Sequence, residues 1–123
     1  MTELSHKSAR YEIVYLAPAR RDLERLLKFL TASGVTFHRA QEIIVGIVKK
    51  LRALESNPRL GFSFGGKYGF ETPYRGLICG KYLAVYEPIE TGANGIGRIE
   101  IRRIYHTREN YLAQLQQLMP KEN

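Results

Sequence analysis

The spacing of the apolar residues changes from helical to strand-like near residue 57, and this change constrains the fold more than any other feature. Before it, two segments each carry one apolar stripe of helical period: Leu23, Leu26, Leu27 and Leu30 in the first, and Phe37, Ala40, Ile44, Ile47, Val48, Leu51 and Leu54 in the second. Asn57-Pro58 ends the second helix. Beyond it, short runs rich in β-branched and aromatic residues alternate with glycine-containing turns, which favours strands.

The helical half is preceded by one strand. Residues 11–16 are rich in β-forming side chains, and Ala17-Pro18 opens the first helix because proline suits the first helical position. That helix is predicted to stop near Ser33-Gly34, and the second begins near Thr36. The short link predicts an antiparallel helical hairpin, whose two apolar stripes need a sheet to cover them.

Strand-like runs make up most of the second half. One follows Leu60, two flank Gly80, and the last follows Asn94-Gly95, a strong signal for a β-hairpin turn. We predict an α+β fold: an N-terminal strand, an antiparallel helical hairpin, a mostly antiparallel sheet of about four strands and a short C-terminal helix. It forms one domain over residues 11–119, behind a disordered or frayed tail at 1–10.

The last strand contains an irregularity. In RIEIRRIYHTREN the alternation of polar and apolar residues breaks at Arg102-Arg103, so one of these arginines would point into the core. Alternatively, Arg103 marks a β-bulge that returns Ile104 to the face of Ile99 and Ile101.

Composition narrows the class of protein. The 123 residues include 19 Lys and Arg against 12 Asp and Glu, a net charge of +7 that favours a polyanionic partner. The single cysteine, Cys79, excludes an intrachain disulfide and fits a reducing compartment. No apolar run approaches the roughly 20 residues that a membrane helix needs. We therefore expect a cytoplasmic protein without a membrane partner.

The residue types leave one kind of catalysis open. The three histidines are far apart in sequence, so no metal site and no cofactor is predicted. Cleavage of RNA without a metal needs proton transfer, which His, Tyr and Lys provide, and cations that hold phosphate, a role suited to Arg. The candidates of these types are Arg75, His106, Arg108 and Tyr111 as catalytic residues, and Lys81, Tyr86, Arg102 and Arg103 as RNA-binding residues.

Each candidate also has a structural interpretation. His106 would hydrogen-bond at a strand end, and Arg98 and Arg102 would pair with Glu100 on a solvated face. Tyr111 occupies a helical position that suits packing against the core, and Tyr86 would be an ordinary strand residue.

Four stretches together resemble the RelE/ParE superfamily of toxins from type II toxin–antitoxin systems, and the resemblance spans residues 11–115. They read LAPARRDLERLLKFL, AQEIIVGIVKKLRALESNPRLG, YRGLICGKYLAVYE and IEIRRIYHTRENYLAQL. The resemblance implies a small toxin that a cognate antitoxin holds inactive through an acidic or amphipathic segment. We expect the antitoxin to contact an apolar groove bordered by the first helices and the sheet, together with a basic rim.

The resemblance allows two targets. In the RelE-like branch the toxin cuts mRNA on the ribosome, and Arg75, Lys81, Arg108 and Tyr111 match basic and tyrosine positions of such nucleases. The ParE-like branch inhibits DNA gyrase, and the Ile104-x-His106-x-Arg108 tail is similar to tails common in that branch. The first hypothesis is a metal-independent, ribosome-dependent mRNA endonuclease. The second is a gyrase inhibitor with no catalytic activity, and the third is a non-toxic basic domain that binds RNA or an acidic protein.

Overall fold

The structure, a computed structural model, describes residues 11–69, 71–90 and 96–118, with side chains up to residue 115 in the last range. The predicted tail at 1–10 and the predicted Asn94-Gly95 turn lie outside these residues. The elements in chain order are β1 (Tyr11–Tyr15), α1 (Ala17–Ala32), α2 (Phe37–Leu51), a 3-10 turn (Arg52–Glu55), β2 (Phe62–Ser63), α3 (Phe64–Tyr68), β3 (Arg75–Cys79), β4 (Tyr82–Ile89), β5 (Gly97–His106) and α4 (Tyr111–Leu118).

The described strands form one five-stranded sheet in the order β1-β5-β4-β3-β2. The strands from β2 to β5 pair in antiparallel fashion with their neighbours, and β1 lies parallel to β5 with Tyr11 opposite Gly97. The predicted α+β fold is therefore confirmed, and β1 makes the sheet mixed rather than purely antiparallel. Because β1 sits beside the last strand, the chain positions α1 directly against β5.

The ends of the helical hairpin follow the local chemistry of the sequence. Pro18 lies in the first turn of α1, and Gly34 adopts a positive φ of 98° just after that helix. The hydroxyl of Thr36 caps α2 by accepting a hydrogen bond from the backbone N–H of Arg39 at 3.1 Å. The predicted end of the first helix and the predicted start of the second are confirmed. The second helix ends earlier than predicted, because α2 stops at Leu51 and a 3-10 turn continues to Glu55, ahead of Asn57-Pro58.

Both faces of the sheet carry a hydrophobic cluster. The first lies under α1 and α2 and includes Ala19, Ile47, Leu51, Leu54, Leu77, Cys79, Ala84, Tyr86, Ile99, Ile101 and Ile104. The second, on the opposite face with α3 and α4, contains Phe64, Tyr74, Leu83, Val85, Tyr105 and Leu115. No helix within the described part of the chain is long and apolar enough to cross a membrane.

The irregularity in β5 is a β-bulge. Val85 pairs with Arg103 whereas Tyr86 pairs with Ile101, so Arg102 is the extra residue. The bulge returns Ile104 to the cluster that holds Ile101. The predicted bulge is therefore confirmed, but the extra residue is Arg102 and not Arg103. The expectation that one of the paired arginines would point into the core is wrong, because the side chains of Arg102 and Arg103 remain 29% and 22% exposed.

Candidate functional site at the end of the last strand

Three of the predicted site residues converge where the β3–β4 turn meets the end of β5. His106 lies opposite Tyr82 in the sheet, and the carbonyl oxygen of Lys81 accepts a hydrogen bond from the backbone N–H of Thr107 at 2.9 Å. Arg108 follows directly in the chain. We call Lys81, His106 and Arg108 the basic rim. The exposed side chains of Lys81 and Arg108 have no carboxylate partner among the described residues.

His106 is held in one orientation by its surroundings. Its Nδ1 accepts a hydrogen bond from the backbone N–H of Arg108 at 3.0 Å, and its ring stands edge-on to Tyr82 with centroids 5.3 Å apart. The structural interpretation of His106 as a hydrogen-bonding residue at a strand end is confirmed. Because Nδ1 acts as an acceptor, the neutral ring carries its proton on Nε2. In this arrangement the neutral imidazole can donate a hydrogen bond through Nε2–H, and its one acceptor nitrogen is already occupied by the N–H of Arg108.

A groove of 690 Å³ lies beside the basic rim, between α1 and the end of β5. Its lining includes Leu26, Phe29, Tyr82, Ile104, Arg25 and Arg108. Phe29, on the α1 side, is 65% exposed, which is unusual for a residue of its size in a described helix that already has a buried stripe. The groove therefore combines apolar side chains with arginines from α1 and from the end of β5, and the acidic residues Asp22 and Glu109 also line it.

Arg103 is occupied by an internal ion pair. Its Nε and Nη2 donate to the two carboxylate oxygens of Asp22 at 2.8 and 3.0 Å, and one of those oxygens also accepts the backbone N–H of Ile104 at 2.8 Å. The hydrogen bond to Asp22 raises the pKa of Arg103. Asp22 thus fastens α1 to the part of β5 that extends beyond its pairing with β1. We call the ion pair of Asp22 with Arg103 the clamp. Contact of Arg103 with a phosphate would require this ion pair to open.

Arg102 is also engaged within the protein. Glu87 and Glu100 lie directly opposite each other on β4 and β5. Two like charges in these positions repel each other and destabilise the sheet. The Nη2 of Arg102 lies 2.9 Å from a carboxylate oxygen of each glutamate, and Arg98 pairs with Glu100 at 2.8 Å. The structural interpretation, a face on which Arg98 and Arg102 pair with Glu100, is confirmed.

Arg75 and Tyr86 lie far from the basic rim. They oppose each other in the β3–β4 ladder, four positions along β4 from the Tyr82–His106 pair, which corresponds to roughly 13 Å of strand. Tyr86 is fully buried, so its ring presents no face on which a base could stack. The side chains of both residues instead bind the backbone of the loop before β2.

Tyr111 lies on the other face of the sheet from His106. It stacks on Tyr105 with ring centroids 6.2 Å apart, and its hydroxyl lies 3.4 Å from that of Tyr68. The hydrogen bond to Tyr68, and then burial, raises the pKa of Tyr111. Its packing against the second hydrophobic cluster is confirmed. The four predicted catalytic residues therefore occupy three separate places, with only His106 and Arg108 adjacent. Their catalytic and RNA-binding roles stay predictions.

Several residues that shape this region were not identified from the sequence. Asp22 is the first acidic residue among the arginines of α1, and Phe29 lies off the leucine stripe of the same helix. In the sequence, Asp22 was the signal for the ion pair with Arg103, and Phe29 was the signal for the exposed wall of the groove. The pairing of Tyr68 with Tyr111 had no local signal, because the two residues come together only through tertiary packing.

The described residues contain no group of three or more His, Cys, Asp or Glu side chains that could hold a metal ion. No curated protein matches the chain significantly. Among solved structures, the chain is similar to one from the chromosomal ParDE TA system from P. aeruginosa, with 15% sequence identity and a TM-score of 0.64 over 81% of this chain and 99% of that chain. This likeness supports the fold.

The family comparison covers most of the domain. Residues 13–111 match the family described as the ParE toxin of the type II toxin-antitoxin system, parDE. The match contains both helices of the hairpin, the whole sheet from Ile13 onward and the basic rim. The chain belongs to the ParE toxin family of type II toxin–antitoxin systems.

Proposed function

We propose that this toxin arrests growth by binding and inhibiting DNA gyrase, without catalytic activity of its own. The observation that carries the proposal is the dispersal of the predicted nuclease residues. Arg75 lies roughly 13 Å of strand from the rim, and Tyr111 lies on the opposite face of the sheet. General acid–base catalysis needs its groups within hydrogen-bond reach of one substrate, which this arrangement does not offer.

The charges of the candidate RNA-binding residues support the same proposal. Arg102 and Arg103 already have carboxylate partners at 2.8–2.9 Å, and Tyr86 is fully buried. Of the predicted RNA-binding residues, Lys81 alone keeps an exposed charge without a described carboxylate partner. Such a surface favours recognition of a macromolecule over cleavage of a phosphodiester bond.

The test is a supercoiling assay with purified gyrase, relaxed plasmid and purified toxin. Inhibition that rises with toxin concentration and disappears when the cognate antitoxin is added supports the proposal. A parallel cell-free translation reaction, with mRNA ends mapped by primer extension, tests the alternative hypothesis of mRNA cleavage. Unimpeded supercoiling by a preparation that arrests growth in cells would overturn the gyrase proposal.

A second candidate, the ribosome-dependent mRNA endonuclease, is favoured by one observation. The basic rim combines His106 with two exposed cations that could hold a phosphate. His106 would protonate a leaving oxygen as an imidazolium, which requires Nδ1 to release the N–H of Arg108 and take up a proton. New mRNA ends that require ribosomes, and that disappear in the folded double variant His106→Ala, Arg108→Ala, would establish this activity.

The antitoxin is proposed to cover the groove between α1 and β5. The groove offers an exposed phenylalanine with an arginine on each side, which fits a segment that carries both acidic and apolar side chains. Phe29→Ser should weaken the toxin–antitoxin complex measurably by calorimetry. Phe37→Ser is the matched control, because Phe37 is 57% exposed but does not line the groove. Equal losses in the two variants would argue against the groove.

A further inference from the structure

The loop before β2 is fixed to the sheet by two side chains whose roles the proposed function leaves unexplained. The hydroxyl of Tyr86 accepts a hydrogen bond from the backbone N–H of Gly61 at 3.0 Å and donates one to the carbonyl of Pro58 at 2.8 Å. The Nη2 of Arg75 donates to the carbonyls of Gly61 and Arg59 at 2.7 and 3.2 Å. We call residues 57–61 the latched loop. Surface loops normally satisfy such groups with water, whereas here the sheet supplies the partners.

Close packing restricts the same loop further. A Cβ added to Gly61 would lie 2.2 Å from the carbonyl oxygen of Gly76 and 3.0 Å from the ring of Tyr86. Only glycine permits this approach of the loop backbone to β3. Within the loop, the N–H of Leu60 also donates to the carbonyl of Asn57 at 3.1 Å. The hydrogen bonds and the close contact together hold the loop in one conformation.

One atom of this arrangement lowers stability although its other polar groups are paired. The Nε of Arg75 is buried and has no hydrogen-bond partner among the described residues, and an unpaired buried donor destabilises a protein. A phenylalanine in place of the fully buried Tyr86 would keep its packing but release the loop. The polar groups are explained better by a requirement for the shape of the loop.

The latched loop displays two side chains to solvent. Leu60 is 44% exposed, and the neighbouring Arg59 is exposed with no ion pair among the described residues. A rigid backbone reduces the conformational entropy lost on binding, so an adjacent cation and leucine on such a loop form an efficient contact. Arginine is also enriched among the residues that dominate protein–protein binding energy.

We infer that the latched loop contacts a protein target of the toxin, where Arg59 binds a carboxylate and Leu60 enters an adjoining apolar pocket. Leu60 favours a protein over a nucleic acid, because burial of an aliphatic side chain is favourable whereas a phosphate backbone offers it no partner. The net charge of +7 favours an acidic surface on that protein. Arg75 and Tyr86 are then positioning residues. The inference rests on the proposed function only in naming gyrase as the target.

The experiment compares two double variants for growth arrest after induction and for inhibition of supercoiling. Arg59→Gln with Leu60→Ala removes both displayed side chains. Arg21→Gln with Val45→Ala is the matched control, since Arg21 is exposed and Val45 is 49% exposed on the helical hairpin. The loop variant should need at least about tenfold more protein for the same arrest, as expected when dominant interface residues are removed. Denaturation curves and antitoxin binding should match those of the wild type.

A third variant separates positioning from stability. Tyr86→Phe removes two of the four side-chain hydrogen bonds that hold the loop, while it keeps the ring in the core. In this background, the Leu60→Ala substitution should cause a smaller additional loss of toxicity than it does in the wild type, because a mobile loop no longer presents Leu60 to the target. Equal losses in both backgrounds would show that Tyr86 serves stability alone.

The outcomes distinguish the inference from the proposed function. A loop variant as toxic as the matched control overturns the inference. Loss of toxicity through Arg59→Gln alone, with no effect of Leu60→Ala, overturns the apolar pocket for Leu60 and with it the inference of a protein contact, since a guanidinium binds phosphate as well as carboxylate. If the wild type arrests growth without inhibiting supercoiling and the loop variant does not arrest growth, the gyrase proposal fails and the loop inference stands. A wild type with neither effect overturns both.

Discussion

Among the ion-paired carboxylates of the described residues, Asp22 is the most buried. Its side chain is only 7% exposed and receives two hydrogen bonds from Arg103 and one from the backbone of Ile104. Asp22→Ala leaves a partly buried guanidinium and a backbone N–H without their acceptor, so we expect a loss of about 2–4 kcal/mol in the free energy of unfolding. Urea denaturation measures this loss. The exposed Glu24 on the same helix is the control, and Glu24→Ala should change stability by less than about 0.5 kcal/mol. Similar effects of the two substitutions would contradict the clamp.

The buried thiol of Cys79 gives a prediction about pH. It is 6% exposed, and burial raises its pKa from 9.0 to about 11. At pH 8 the folded protein should therefore hold about a hundredfold less thiolate than the unfolded chain, and iodoacetamide should label it correspondingly slowly. Between pH 9 and 11 the unfolded chain loses the proton that the folded protein keeps, so stability should fall as the pH rises through this window. Labelling of the native protein at the unfolded rate would show that the thiol is accessible.

At the scale of the elements, replacing either of two glycines by alanine should change the stability of the protein in opposite directions, although both glycines have free space around them. An added Cβ at Gly46 in α2 or at Gly69 after α3 would meet nothing within 4 Å, but Gly69 has a φ of 80°. Gly46→Ala should stabilise the protein by about 0.5–1 kcal/mol through helix propensity. Gly69→Ala should destabilise it by about 1 kcal/mol, because the left-handed backbone strains a residue with a Cβ. Thermal denaturation of both variants checks the pair, and a loss of stability in Gly46→Ala would point to an unseen contact on that helix.

Elements with local signals were predictable from the sequence, whereas their long-range partners were not. The proline, the cap at Thr36 and the glycine after α1 determine the helix ends through neighbouring atoms, and the two arginines in sequence revealed the bulge. By contrast, the parallel pairing of β1 with β5 depends on contacts between the two ends of the chain. The same limit applies to the site: residue types identified the basic rim, but only tertiary packing shows that Tyr86 is buried.

For the whole molecule, the net charge of +7 predicts an interaction with nucleic acid that does not depend on base sequence. Neutralisation of phosphates by Lys and Arg releases counterions, so such binding weakens steeply as salt increases. The arginines that already pair with Asp22, Glu87 and Glu100 contribute little to it, since their carboxylates compete with phosphate. We therefore expect weak binding to duplex DNA, with a Kd of about 10⁻⁴ to 10⁻⁶ M at physiological salt.

Fluorescence anisotropy of labelled duplexes between 50 and 200 mM salt, roughly the range over which such contacts weaken most visibly, tests this expectation. Two unrelated duplex sequences should bind equally, and the affinity of both should fall together as salt rises. The matched variants Lys81→Gln and Arg102→Gln separate the contributions, because Lys81 has no described carboxylate partner whereas Arg102 has two. Lys81→Gln should reduce the salt dependence more than Arg102→Gln does. Tight, salt-resistant binding that prefers one duplex would instead show direct recognition of bases. That result would contradict the expectation, and gyrase inhibition does not require it.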